Sequence, residues 1–179
     1  MITPKVLLPK GREDRYDDPM PHKIVTREQL MNRLPALRAG GAKIVFTNGC
    51  FDLMHIGHTR YLQAAKALGD WLIVGVNSDA SVKSLDKAPD RPIVPEAQRA
   101  EVLAALECVD FVVLFPEPDP HALIAAVQPD VLVKGGDWPL DRIIGRDIVE
   151  ARGGVVKTIP LVPGLSTTAL IQRIRATQT

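Results

Sequence analysis

Short, uninterrupted apolar runs alternate with helix-compatible segments along most of this chain, and that alternation constrains its fold more than any other feature. Strand-like runs occur at 44–47, 71–76, 111–114, 131–133 and 155–159. Helical patterns fall between them at 59–68, 96–106 and 121–127, with a last one at 168–175. Strands apolar on both faces, separated by helices, are those of parallel βαβ units whose sheet is covered on both sides. The expected fold is therefore α/β: an open, Rossmann-like, doubly wound parallel sheet of about five strands in a single domain. In such sheets ligands bind beyond the carboxyl ends of the strands, where strand order reverses, so the residues just after each strand carry the functional reading.

The chain's first part lacks this alternation. Residues 1–22 hold four prolines and a mixed-charge run without apolar periodicity, which predicts an extended or disordered arm ahead of a domain at 23–179. Thr26 with Gln29 has the form of a capping box, and Leu30, Leu34 and Leu37 come next at helical spacing, with Pro35 expected to kink or split that helix. Gly40 and Gly41 close it.

Composition narrows the function classes. The chain has 179 residues with 22 Lys+Arg against 21 Asp+Glu, a formal net charge of +1. That balance lacks the broad positive field of sequence-independent nucleic-acid binding and points to a small anionic partner in a local cleft. No apolar run approaches the roughly 20 residues of a membrane span, and the first 20 residues do not read as a signal peptide. Cys50 and Cys108 stand 58 positions apart in no paired motif, as reduced thiols do. A cytoplasmic protein is expected, with partners that are neither nucleic acid nor membrane.

The chemistry concentrates after the first strand, in Thr47-Asn48-Gly49-Cys50-Phe51-Asp52-Leu53-Met54-His55-Ile56-Gly57-His58. His55 and His58, three apart at a helix start, can project from one turn. Gly57 between them leaves room for a flat ring or a phosphate, and helix N-terminal amides attract anions. The plainer reading, in which the histidines only cap and pack the helix, suits a lone His better than this pair. Cys50, Asp52, His55 and His58 are all possible zinc ligands, but their spacing matches no usual zinc pattern, so no metal site is assigned.

Three other segments join this one. Lys83, Arg91 and Arg99 come after the second strand, where cations can reach phosphate oxygens or form a solvated charged face. Lys134-Gly135-Gly136-Asp137-Trp138 comes after the fourth strand and combines close backbone approach, a carboxylate for hydroxyls or a base, and a stacking face. Ser166-Thr167-Thr168 opens the last helix, as an N-cap and as a phosphate cradle together.

The stretch 46–58 resembles the His-x-Gly-His signature of the nucleotidyltransferase superfamily, whose Rossmann-like fold is shared with class I aminoacyl-tRNA synthetases. More closely, Phe46 to Asp52, Gly75-Val76-Asn77-Ser78-Asp79, Val133 to Asp137 and Ser166-Thr167-Thr168 are similar, in order, to the D-glycero-β-D-manno-heptose 1-phosphate adenylyltransferases of lipopolysaccharide precursor synthesis. The resemblance covers residues 26–176 or so. It implies transfer of AMP from ATP, accompanied by Mg²⁺, to a heptose 1-phosphate, with release of pyrophosphate.

It also implies His55, His58 and Lys83 as catalytic groups. Thr47, Asn48, Gly49, Cys50, Phe51, Gly57, Lys134, Gly135, Asp137, Ser166, Thr167 and Thr168 would hold the nucleotide. Asp52, Asn77, Arg91, Arg99 and Trp138 are candidates for the substrate phosphate. Small members of the superfamily are often homodimers. Some are fused to a sugar kinase, for which 179 residues leave no room, so a separate kinase and phosphatase are the expected pathway partners. The chain departs from the family after Leu85, where Asp86-Lys87 replaces the usual Lys-Gly. A cytidylyltransferase acting on glycerol 3-phosphate, and a non-catalytic nucleotide-binding regulator, are the competing expectations.

Overall fold

The computed structural model describes residues 22–84, 91–136 and 138–177; the N-terminal residues 1–21, Asp86, Lys87 and Asp137 lie outside them. The order is α1 (Arg27–Leu37), β1 (Ile44–Gly49), α2 (Ile56–Lys66), β2 (Trp71–Asn77), α3 (Asp79–Ser84), α4 (Glu96–Ala104), β3 (Phe111–Phe115), α5 (His121–Val127), β4 (Val131–Gly135), α6 (Arg146–Ala151), β5 (Val155–Ile159) and α7 (Thr167–Ala176). All five strands are parallel, in the order β3-β2-β1-β4-β5. This is the expected Rossmann-like sheet. No helix among the described residues is long and apolar enough to cross a membrane.

The strand residues explain the two-sided packing. Phe46 and Ile73 turn toward one face and meet Leu30, Leu34, Leu123, Ile124 and Val149 from α1, α5 and α6. Val45, Leu72, Val74 and Val76 turn toward the other and meet Leu62, Ala65, Ala100 and Leu103 from α2 and α4. Period-2 alternation thus supplies two cores at once, which is why the strands read as unbroken apolar runs.

The chain runs outward from β1 to β3, then returns to the other side of β1 as β4. Strand order therefore reverses between β1 and β4, with Asn48 and Gly49 at the end of one strand and Lys134 and Gly135 at the end of the other.

Two expectations need correction, and two helices go beyond what the sequence pattern predicts. α1 is not split at Pro35 but runs through it to Leu37. The bond that Pro35 cannot donate falls in the last turn, where the helix is ending anyway, while Leu30 and Leu34 anchor the preceding turns. α2 starts at Ile56, three residues before the expected position, because the His55 side chain caps it. α3 and α6, of six residues each, are too short to establish a 3.6-residue period in the sequence. Ahead of α1, Ile24 bridges Val112 of β3, with Val112 N–H donating to Lys23 O at 2.8 Å.

Candidate active site

The site forms where β1 ends and α2 begins. His55 has extended backbone and is the N-cap of α2, its Nδ1 accepting from Gly57 N–H at 3.1 Å. An Nδ1 that accepts cannot carry a proton, so His55 is a neutral imidazole whose Nε2–H is the donor left for a ligand. Burial lowers its pKa in the same direction. The His58 ring stacks on it, centroids 3.9 Å apart and planes inclined by 28°.

His58 is more deeply set. Burial first, and then the neighbouring His55, push its pKa down to about 4, and its Nδ1 is buried without a protein partner. Two imidazoles stacked this closely cannot both be charged without a large Coulombic cost. Phe51 closes the other side, its ring edge-on to His58 at 5.5 Å. A Cβ on Gly57 would lie 2.8 Å from His55 Cε1 and Nδ1, so the stacked pair requires glycine there.

The rest of α2 is pinned to the sheet by Tyr61. Its hydroxyl is 2.6 Å from Thr47 Oγ1 and donates to Val133 O at 3.1 Å, joining β1 to β4 beneath the site. Burial raises the Tyr61 pKa to about 12. Thr47, expected to offer its backbone to the nucleotide, spends its side chain inside the fold, and Tyr61 lines the adjacent cavity although sequence reading did not single it out. Its placement one turn after His58 was the available signal.

Opposite the histidines lies the start of α7. Ser166 is its N-cap, accepting from Ala169 N–H at 3.0 Å, and Thr167 Oγ1 reaches Leu53 O at 3.4 Å. A cavity of about 240 Å³ between the two helix starts is lined by Asn48 to Phe51, His55, Gly57, His58, Tyr61, Gly135, Ser166 and Thr167. Two helix N-termini, two imidazoles and a line of hydroxyls around one cavity suit a polyphosphate.

Two further cavities adjoin it. One of about 500 Å³ shares Cys50, Phe51, His58 and Thr167 and adds Asp52, Arg91, Thr168, Gln172 and Arg175. The other, of about 350 Å³, shares Asn48, Gly49, Cys50 and Gly135 and adds Asn77, Asp119, Lys134, Trp138 and Arg142. Lys134 Nζ donates to Asn48 Oδ1 across the switch point. Trp138 is 58% exposed at the mouth of the cavity, its face available for stacking. Cys50 is buried beside all three cavities.

Not every expected residue faces a ligand. Arg99, read as a phosphate cation or a solvated charge, is neither: it is buried and bonded to Val94 O, Cys50 O, Asn77 O and Asp79. Asp52 accepts from Ile93 and Val94 N–H at 2.8 to 3.0 Å and lies 2.5 Å from Arg91 Nε, an ionic contact outside hydrogen-bond geometry. Asn77 donates to Ser81 Oγ at 2.9 Å. Lys83 is exposed in the last turn of α3 and lines none of the three cavities.

Comparison with known proteins agrees with this architecture. The cytidylyltransferase-like family matches residues 46–173, a span that holds the histidine pair, both glycine-bearing strand ends and the hydroxyl cradle. The chain belongs to the cytidylyltransferase-like family. It is 53% identical over 174 residues to the bifunctional protein HldE of Trichlorobacter lovleyi, covering 97% of this chain and 35% of that protein. It is also 53% identical to HldE of Pseudomonas fluorescens, covering 85% and 32%. The chain thus spans about a third of the length of these curated relatives. A lipopolysaccharide core biosynthesis protein from Thermoplasma volcanium is similar in structure, with TM-score 0.57, 31% identity, and coverage of 68% of this chain and 98% of that one. Pantoate-β-alanine ligase from Francisella tularensis, at 15% identity, TM-score 0.56 and coverage of 88% and 78%, is similar in fold.

Proposed function

We propose that the chain is a nucleotidyltransferase that moves AMP from ATP to D-glycero-β-D-manno-heptose 1-phosphate, giving ADP-heptose and pyrophosphate. The observation that carries the reading is the stacked His55–His58 pair facing the Ser166–Thr168 helix start across one cavity at the switch point. Likeness to a lipopolysaccharide core biosynthesis protein, and the Asn48-Gly49-Cys50 and Val76-Asn77-Ser78-Asp79 wording, favour the heptose over other acceptors.

A phosphate oxygen of the sugar attacks the α-phosphorus in line. The new P–O bond forms as the bond to the β-phosphate bridge breaks, and the electron pair leaves with pyrophosphate. Nothing covalent is asked of the protein; it must orient the reactants and stabilise charge. His55 donates from Nε2, and His58 takes on hydrogen-bonding or positive character as triphosphate charge enters its buried surroundings. The α2 and α7 amides face the same anion. Asn48 and Lys134, expected at the nucleotide, line the adjoining cavity with Asn77, Asp119 and Trp138, and there this reading gives them to sugar hydroxyls instead.

Mg²⁺ supplies charge neutralisation on the leaving phosphates when bound. Asp52 is spent on Ile93, Val94 and Arg91, so the ion would enter on the triphosphate and not in a protein cage. ATP and the sugar phosphate are the partners of this reading, and a homodimer is the proposed assembly.

The test is pyrophosphate release with ATP, CTP, GTP or UTP against heptose 1-phosphate and glycerol 3-phosphate. Release with ATP and the heptose phosphate is expected. Release with CTP and glycerol 3-phosphate overturns the substrate, and silence in every pair overturns turnover itself.

A further inference from the structure

Arg99 has the largest side chain among the wholly buried described residues, and each of its donor nitrogens is engaged. Nε donates to Val94 O at 2.9 Å, Nη1 to Cys50 O, and Nη2 to Asn77 O at 2.8 Å and Asp79 Oδ1 at 2.7 Å. An apolar side chain would fill this space without the desolvation cost of a guanidinium, so the charge is better explained by the geometry it holds than by stability. Three of its partners are backbone carbonyls at points where the chain changes direction: the exit of β1, the exit of β2 and the approach to α4.

Immediately after the Cys50 carbonyl the backbone is strained. Phe51 has φ of 47°, a left-handed conformation that non-glycine residues keep only where surrounding contacts impose it. That turn sets the Phe51 ring against His58 and delivers Asp52 to a buried position. Asp52 in turn holds the Ile93 and Val94 amides and the Arg91 guanidinium. Arg91 lines the 500 Å³ cavity beside His58, Thr167 and Thr168.

We infer that Arg99 is a positioning residue that fixes the Phe51–Asp52 turn and, through Asp52, the place of Arg91 in the 500 Å³ cavity, where Arg91 meets a phosphate-bearing ligand. The planar fork of arginine suits this task. It spans three carbonyls and a carboxylate at fixed angles, whereas a lysine ammonium in the same pocket reaches only some of them. The choice of ligand rests on the nucleotidyltransferase reading, under which pyrophosphate is a product of the site.

The experiment measures the dissociation constant of inorganic pyrophosphate by calorimetry for the full chain and for Arg91→Met, Arg99→Lys, Arg99→Met and Arg91→Met/Arg99→Lys. Loss of the Arg91 contact is expected to weaken binding about tenfold, and Arg99→Lys to weaken it several-fold with Arg99→Met worse. The double variant should bind less weakly than the product of the two single effects, because the part of the Arg99 effect that runs through Arg91 is already lost. A purely structural Arg99 would lower Tm and leave the affinity of the folded chain unchanged. Asp52→Asn leaves every Arg99 bond in place, and it must show the same non-additivity with Arg91→Met even if the Arg99 variants do not fold. Wild-type affinity in a folded Arg99 variant, or effects that multiply in the double variant, overturn the inference. So does a wild-type chain that binds no pyrophosphate, whatever the transferase assay shows.

Discussion

His55 performs two tasks with one ring: Nδ1 caps the start of α2, and Nε2–H is left as a donor on a ring that lines the cavity. Gly57→Ala separates them, since the added methyl would displace the ring from its cap. Turnover should fall by a factor of about 10 to 100 with the fold retained, because small displacements of a positioned group are costly; steady-state kinetics beside a thermal melt check this. His58 supplies the pH dependence. Its folded pKa is about 4 against 6.5 unfolded, so between those values the unfolded chain binds more protons. Its contribution is fully present above pH 6.5 and is lost as pH falls toward 4. His58→Gln should therefore show a flatter decline of denaturation midpoint between pH 7 and 4 than the wild type, and an equal slope would contradict the assigned burial. The same variant should lose activity about 100-fold or more, as removal of a charge-stabilising donor does.

At the scale of elements, the site depends on the angle at which α2 meets the sheet. Tyr61 sets it through Thr47 and Val133, so Tyr61→Phe leaves buried polar atoms unpaired and should cost about 1 to 3 kcal/mol, read by denaturant unfolding. A smaller loss in turnover should accompany it as His58 loses its fixed bearing. Such couplings mark what the sequence leaves hidden. Strand cores, the histidine pair and the hydroxyl triplet were legible because periodicity and local spacing encode them. Arg99 was not: its carbonyl partners at Cys50 and Asn77 lie 49 and 22 positions away, and a charged residue reads the same whether it faces solvent or fills a core. The Asp52 clamp on Ile93 and Val94, 41 and 42 positions on, was hidden for the same reason. Conversely, the helix start at Ile56 was obscured because histidine is an uncommon N-cap, so Thr59 looked like the boundary.

Across the whole molecule, the reversal of strand order sets two cavities against one point, so that under the proposed function each substrate would have its own approach to it. The 240 Å³ and 350 Å³ cavities meet at Asn48, Gly49, Cys50 and Gly135, the ends of the two strands that flank the switch. A polyphosphate at the histidines and a sugar beside Trp138 would then approach each other over backbone that has no bulky side chain at two of those four positions. A Cβ on Gly135 would meet Leu161 at 3.2 Å, so that floor has little room to rise. This division predicts separable effects. Trp138→Ala removes a stacking face from the cavity that the histidines do not line and should raise KM for the sugar phosphate about tenfold while leaving KM for ATP near its wild-type value. Ser166→Ala with Thr167→Val should do the reverse, through the helix start that lines the 240 Å³ cavity proposed for the triphosphate. Initial-rate measurements varying both substrates distinguish the two, and a Trp138→Ala variant that shifts the ATP constant instead would place the nucleotide, not the sugar, in the 350 Å³ cavity.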